Sequence, residues 1–76
     1  MIQINLNDSF YSITKDNSAL KDAFIEMGFK PMANKQTYQT VGRAITLKKA
    51  IEHINMDQQQ VTEYLNKKGI EVTFYE

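Results

Sequence analysis

The sequence predicts a mainly helical α+β fold, with about five short helices in an orthogonal array and a small sheet formed by the two terminal strands. The strands are predicted by two sets of apolar residues that alternate with polar ones: Ile2, Ile4 and Leu6, and Ile70, Val72 and Phe74. Between them, capping residues precede segments with helical apolar spacing. The chain has 76 residues and no linker, which predicts a single compact domain over residues 1–76.

The first two predicted helices follow polar residues that suit an N-cap. Asp8 or Ser9 caps a first helix, which carries Phe10 and Ile13. Asn17 caps a second helix, whose apolar residues recur with helical spacing at Leu20, Ala23, Phe24 and Met27. We expect this helix to end at Gly28, with a positive φ at that glycine.

Three further helices are predicted in the second half of the chain. The third includes Tyr38 and Val41 and ends near Gly42. Thr46 caps the fourth, whose apolar stripe consists of Leu47, Ala50, Ile51 and Ile54. Asn55 and Gln58 have the spacing of a capping box for the fifth. That helix buries Val61, Leu65 and Tyr64, and it ends at Lys67, Lys68 and Gly69.

The charges are unevenly distributed along a chain with no net charge. From Met27 to Ile51 there is no acidic residue, whereas the segment carries five basic ones: Lys30, Lys35, Arg43, Lys48 and Lys49. The remainder holds four lysines and all nine acidic residues. The fold decides whether this separation in sequence becomes a separation in space.

Several classes of protein are disfavoured by composition. The chain has no cysteine, so it offers no disulfide, thiolate nucleophile or cysteine-ligated metal site. Its N-terminus does not have the pattern of a signal peptide, and no apolar run approaches a membrane span, so we expect a cytoplasmic location and no membrane partner. His53 is the only histidine, and we interpret it as a surface or boundary residue. We expect neither a cofactor nor enzymatic activity.

A combination of short motifs covers most of the chain. These are Leu20 to Phe29 with its Glu-Met-Gly-Phe ending, Lys30 to Asn34, Thr40 to Arg43, Thr46-Leu47 and Met56-Asp57. With these motifs the chain resembles a small bacterial helical domain of unknown function, which occurs alone and ahead of hemerythrin-like or PAS sensory domains. It is also similar to the N-terminal domain of the di-iron iron–sulfur-cluster repair proteins. The resemblance implies a compact helical fold and a binding, sensory or regulatory role.

One feature of that family is missing. Many members carry two cysteines just after the glycine that ends the second helix, whereas this chain has Lys30, Pro31 and Met32 there. Thiol or metal chemistry of such members therefore does not carry over to this chain.

The turn after the second helix provides a candidate partner surface. If Phe29 and Met32 are partly exposed, they form an adaptable apolar patch beside the basic segment 30–49. The candidate partner-binding residues are Phe29, Lys30, Met32 and Arg43. At helical spacing, methionine is more often a core residue, and we interpret Met27 in that way.

A second candidate site lies at the predicted start of the fourth helix. Free amides at a helix N-terminus, together with nearby cations, bind anions. The candidate anion-binding residues are Arg43, Thr46, Lys48 and Lys49. In the alternative interpretation, Arg43 has a structural role and pairs with a carboxylate or with helix carbonyls.

Three functional classes follow from these observations. The first is a protein-interaction or regulatory module that binds another protein or a copy of itself. The second is a weak anion or nucleic-acid binding protein that uses the basic segment 30–49, which the zero net charge and a pI near 6.6 disfavour. The third is an enzyme, for which no motif provides support.

Overall fold

The predicted fold class is confirmed by a computed structural model that describes all residues from Met1 to Glu76. The chain forms five α-helices, one 3₁₀-helix and two strands. In chain order these are β1 (Ile2–Asn5), α1 (Phe10–Thr14), α2 (Ser18–Met27), the 3₁₀-helix (Lys30–Ala33), α3 (Lys35–Ala44), α4 (Leu47–His53), α5 (Gln58–Lys67) and β2 (Val72–Tyr75).

Side-chain caps determine where the helices begin. The Ser9 side chain accepts from the Ser12 amide, that of Asn17 from the Leu20 amide, and that of Thr46 from the Lys49 amide, as predicted. The predicted capping box at Asn55 is wrong. Asp57 caps α5 with Gln60 as its reciprocal partner, because Asn55 adopts a positive φ of 58° in the preceding turn.

The two terminal strands pair with each other, and they do so in parallel. Ile2 lies opposite Val72, and Asn5 lies opposite Tyr75. Parallel strands need a long connection between them, and here all the helices provide it. On the inner face of the sheet, Ile4, Leu6 and Val72 are buried, whereas Ile2, Ile70 and Phe74 pack partly buried against the core.

The core is a cluster of fifteen buried residues to which both strands, all five α-helices and the 3₁₀-helix contribute. At its centre the Phe10 ring makes edge contacts with Phe24 and Phe29, at centroid distances of 5.4 and 5.1 Å. Phe10 belongs to a helix of only five residues, so tertiary packing rather than intrinsic helix propensity stabilises α1.

The end of the third helix differs from the prediction. α3 continues to Ala44, and Gly42 is a buried residue inside it. A Cβ atom at this position would lie 3.3 Å from Tyr38 Cδ1 and 3.5 Å from Met32 Sδ. An added Cβ would therefore be tight only against the Tyr38 ring of the same helix, and the glycine does not terminate α3. Val41, predicted in the same segment, is 45% exposed.

Candidate functional site

The structure separates the four candidate partner-binding residues into two groups. Phe29 is only 2% exposed and Met32 is fully buried, whereas Lys30 and Arg43 are exposed. The expectation of an apolar patch at the surface is therefore wrong. Phe29 packs on Phe10, and Met32 packs against Gly42, so both side chains belong to the core.

The start of α4 does not offer the free amides that an anion pocket requires. The Leu47 amide donates to the Asp8 carbonyl at 2.9 Å, and the Lys48 amide donates to the Leu6 carbonyl at 3.1 Å. The Lys49 amide donates to the Thr46 hydroxyl at 3.2 Å. All three N-terminal amides already have acceptors from the chain, which removes the main attraction for an anion at this end of the helix.

The cations of the predicted anion site also point to different partners. Lys48 pairs with Glu76 at 3.4 Å, and Lys49 pairs with Glu52 at 3.5 Å. Arg43 lies in the last turn of α3, where a cation is favourable for the helix dipole, and it takes part in none of the ion pairs. These basic residues therefore do not share a ligand position.

Arg43 stacks on an aromatic ring instead. Its guanidinium carbon lies 4.4 Å from the centroid of Tyr11, and the Tyr11 ring lies 5.1 Å from that of Tyr38. The Lys21 ammonium lies over the Tyr38 ring, 4.0 Å from its centroid. We refer to the four residues Lys21, Tyr38, Tyr11 and Arg43 as the stacked face. It joins α1, α2 and α3, and no spacing pattern in the sequence indicates it because its members are far apart in the chain.

A buried hydrogen bond fixes the orientation of Tyr38 beneath this face. The Thr14 hydroxyl donates its proton to the Phe10 carbonyl at 2.8 Å, so it accepts from the Tyr38 hydroxyl, also at 2.8 Å. No buried side-chain nitrogen or oxygen atom in the chain lacks a hydrogen-bond partner. All buried polar side-chain atoms beneath the stacked face therefore have hydrogen-bond partners.

A second cluster of charged and polar groups connects α2 to the end of α5. Both Lys68 Nζ (2.6 Å) and the Tyr64 hydroxyl (3.0 Å) donate to the same carboxylate oxygen of Glu26. These hydrogen bonds lower the pKa of Glu26, with the bond from Lys68 as the larger cause. The pKa values of Tyr64 and Lys68 are raised, in each case mainly by the hydrogen bond to Glu26.

His53, a metal site and a membrane-spanning helix remain to be considered. His53 is exposed, as predicted, and its ring lies against Phe29 with 5.2 Å between centroids. No group of three or more His, Asp and Glu side chains is placed to hold a metal ion. None of the helices combines the length and the apolar character needed to cross a membrane.

Comparisons with known proteins place the chain in a family. No curated protein sequence is significantly similar to it. The crystal structure of a conserved domain protein from Streptococcus pneumoniae TIGR4 has the same fold, with a TM-score of 0.82 and 24% identity over 100% of this chain and 96% of that one. The similarity to iron–sulfur repair proteins is tested by neither finding and stays a prediction. Residues 4–61 match the model of the "Domain of unknown function (DUF1858)", and the chain belongs to this family.

Proposed function

We propose that the chain is a non-enzymatic protein-binding module, used for regulation or sensing in the cytoplasm, and that the stacked face is its contact surface. The observation that carries this proposal is the position of Arg43. Its guanidinium is exposed, lies on the Tyr11 ring and has no carboxylate partner within the chain. Arginine and tyrosine are enriched among the residues that contribute most to protein interfaces.

The chemistry of the face favours an acidic group on the partner. The guanidinium is planar and binds a carboxylate in a bidentate manner through its N–H groups, and its stacking on Tyr11 holds that plane in place. Lys21 adds a second positive charge that is not in an ion pair. Because Tyr38 and Tyr11 hold these two cations over their rings, less side-chain freedom is lost on binding.

Weak binding of free anions or nucleic acid is the second interpretation of the basic segment. Its support is reduced because Lys48 and Lys49 pair with carboxylates and the α4 amides have acceptors. A phosphate-binding surface needs several cations that face one strand, and the chain has no net charge to add a long-range attraction.

The proposal is tested by titrating ¹⁵N-labelled protein with a capped tetraglutamate peptide, with inorganic phosphate and with a short DNA duplex. We expect the peptide to shift the Arg43 side-chain signal and the amides around Tyr11. The Arg43→Ala and Arg43→Lys variants should both lose most of this response, because lysine does not reproduce the planar stack. Lys35→Ala is the matched control, since it removes one exposed charge from the same helix.

Two outcomes contradict the proposal. The first is an equal loss of the peptide response in Lys35→Ala and Arg43→Ala, which shows an unspecific attraction to charge. The second is tighter binding of the DNA duplex than of the peptide at physiological salt, which favours the nucleic-acid interpretation. A dimer whose interface includes Arg43 identifies the partner as a second copy of the chain.

A further inference from the structure

A groove runs along the sheet on the side of β2 that faces away from β1. It has a volume of about 390 Å³ and is lined by one face of α5 and by the strand itself: Gln58, Gln59, Thr62, Glu63, Val72, Thr73 and Phe74. No residue of β1 lines it. The groove therefore follows the free edge of β2.

The backbone of β2 presents unpaired groups to this groove. The Ile2 amide donates to the Glu71 carbonyl at 2.9 Å, and the Leu6 amide donates to the Tyr75 carbonyl at 2.7 Å. In a parallel ladder, alternate residues face the neighbouring strand, so the N–H and C=O groups of Val72 and Phe74 point to the other side. No hydrogen bond outside the sheet occupies them. Such an edge is a template for a further strand.

The charges around this edge determine which strand fits. Glu63 on α5 and Glu71 before β2 have no basic partner in the chain, whereas Glu76 after β2 pairs with Lys48. A second copy of the chain, paired edge to edge, would offer these carboxylates no cation from its own β2 segment, because residues 70–76 include no lysine or arginine. A strand with basic residues at its ends would complement them, because charge complementarity selects partners at an interface.

We propose that β2 binds an extended peptide segment of another protein, in which basic residues flank short β-branched ones, as a third strand of the sheet. Backbone hydrogen bonds to Val72 and Phe74 provide the attachment, and every second side chain of the peptide faces α5. Lysine or arginine in the peptide meets Glu63 and Glu71. This surface is separate from the stacked face, and the proposal does not depend on the function proposed for that face.

The probe is a capped heptapeptide that alternates valine and threonine between terminal lysines. We expect it to shift the amides of Val72, Phe74 and Thr62 in ¹⁵N-labelled protein and to slow hydrogen exchange at Val72 and Phe74. The matched probe has glutamates in place of the lysines and should bind about fivefold more weakly, as expected from the loss of exposed ion pairs. In the Glu63→Lys/Glu71→Lys double variant, this preference should reverse.

A second arm tests the backbone contact separately from the charges. N-methylation of the Phe74 amide in synthetic protein removes one outward donor and should abolish binding of the lysine peptide. N-methylation of Gln3, whose amide points to the outer edge of β1, is the control and should leave it unchanged, with folding of both proteins checked by circular dichroism. The proposal is overturned by equal binding of the two peptides, by shifts confined to the stacked face, or by dimerisation through β2 without peptide.

Discussion

At the scale of single residues, two glycines are constrained by different physical features. Gly28 ends α2 with a φ of 130°, which confirms the predicted positive φ, although the angle lies outside the narrow left-handed helical region. Its added Cβ would meet only Ile54, at an ordinary 3.9 Å. Gly42 has helical backbone, and an added Cβ would be tight against Tyr38 Cδ1, at 3.3 Å. Conformation therefore determines the first position and packing the second.

Replacing Gly28 by valine tests the first of these reasons. We expect a loss of about 1–3 kcal/mol in the free energy of unfolding, because a β-branched residue is strained at this φ. Urea denaturation of the variant measures the loss. Gln36→Val, at an exposed position of α3, is the control and should cost about 0.5 kcal/mol or less. Equal losses in the two variants would show that backbone strain at Gly28 has no effect.

At the scale of elements, the helix starts depend on local chemistry and the sheet does not. Asn17 and Thr46 cap their helices through residues three positions ahead, an interaction that is visible in sequence. Asn55 also has a suitable spacing, but the chain makes a tight turn there and Asp57 takes the cap instead. The β1–β2 pair joins residues about seventy positions apart, and only its apolar alternation indicated it.

Deleting residues 70–76 tests how much the terminal pairing contributes. Val72 is buried, and Ile70 and Phe74 are partly buried, so several kcal/mol should be lost at ~1.5–3 kcal/mol for each fully buried side chain. Thermal unfolding measures the loss, and the amides of Ile2 and Leu6 should also lose protection from hydrogen exchange. Removal of Glu76 alone is the control. An unchanged melting temperature would contradict a stabilising role for the sheet.

At the scale of the whole molecule, the charge separation in sequence does not become one basic surface. Two basic residues of the central segment pair with acids elsewhere, Lys48 with Glu76 and Lys49 with Glu52. Arg43 instead stacks on Tyr11. The ion pair between Glu26 and Lys68 joins α2 to the residue that follows α5, and it lies outside that segment. In the folded chain, Lys48, Lys49 and Arg43 therefore contact separate partners.

The Glu26 cluster predicts a specific pH dependence of stability. The pKa of Glu26 is lowered in the folded protein, so its contribution is present above the ordinary value of 4.5 and is lost as the pH falls through the folded pKa. The difference in melting temperature between wild type and Glu26→Gln should therefore shrink from pH 7 to about pH 3. Glu63→Gln is the control, because its carboxylate has no cation partner.

The same cluster predicts that stability also falls when the pH rises into the alkaline range. The pKa values of Lys68 and Tyr64 are raised on folding, so the stability that they contribute is present below their ordinary values and is lost as the pH rises through the folded ones. An NMR titration reads each group directly. A Glu26 carboxyl that titrates at or above its ordinary pKa would contradict the arrangement.

The sequence by itself determined the fold class, the positions of the strands, the caps at Ser9, Asn17 and Thr46, and the end of α2 at Gly28. These features depend on periodicity and on contacts within a few residues, both of which can be recognised in the sequence. Only the tertiary structure decided that Phe29 and Met32 are buried and that Arg43 stacks on Tyr11. Turn residues have no helical face to indicate their direction, and a stack between residues thirty positions apart depends on how α1 packs against α3.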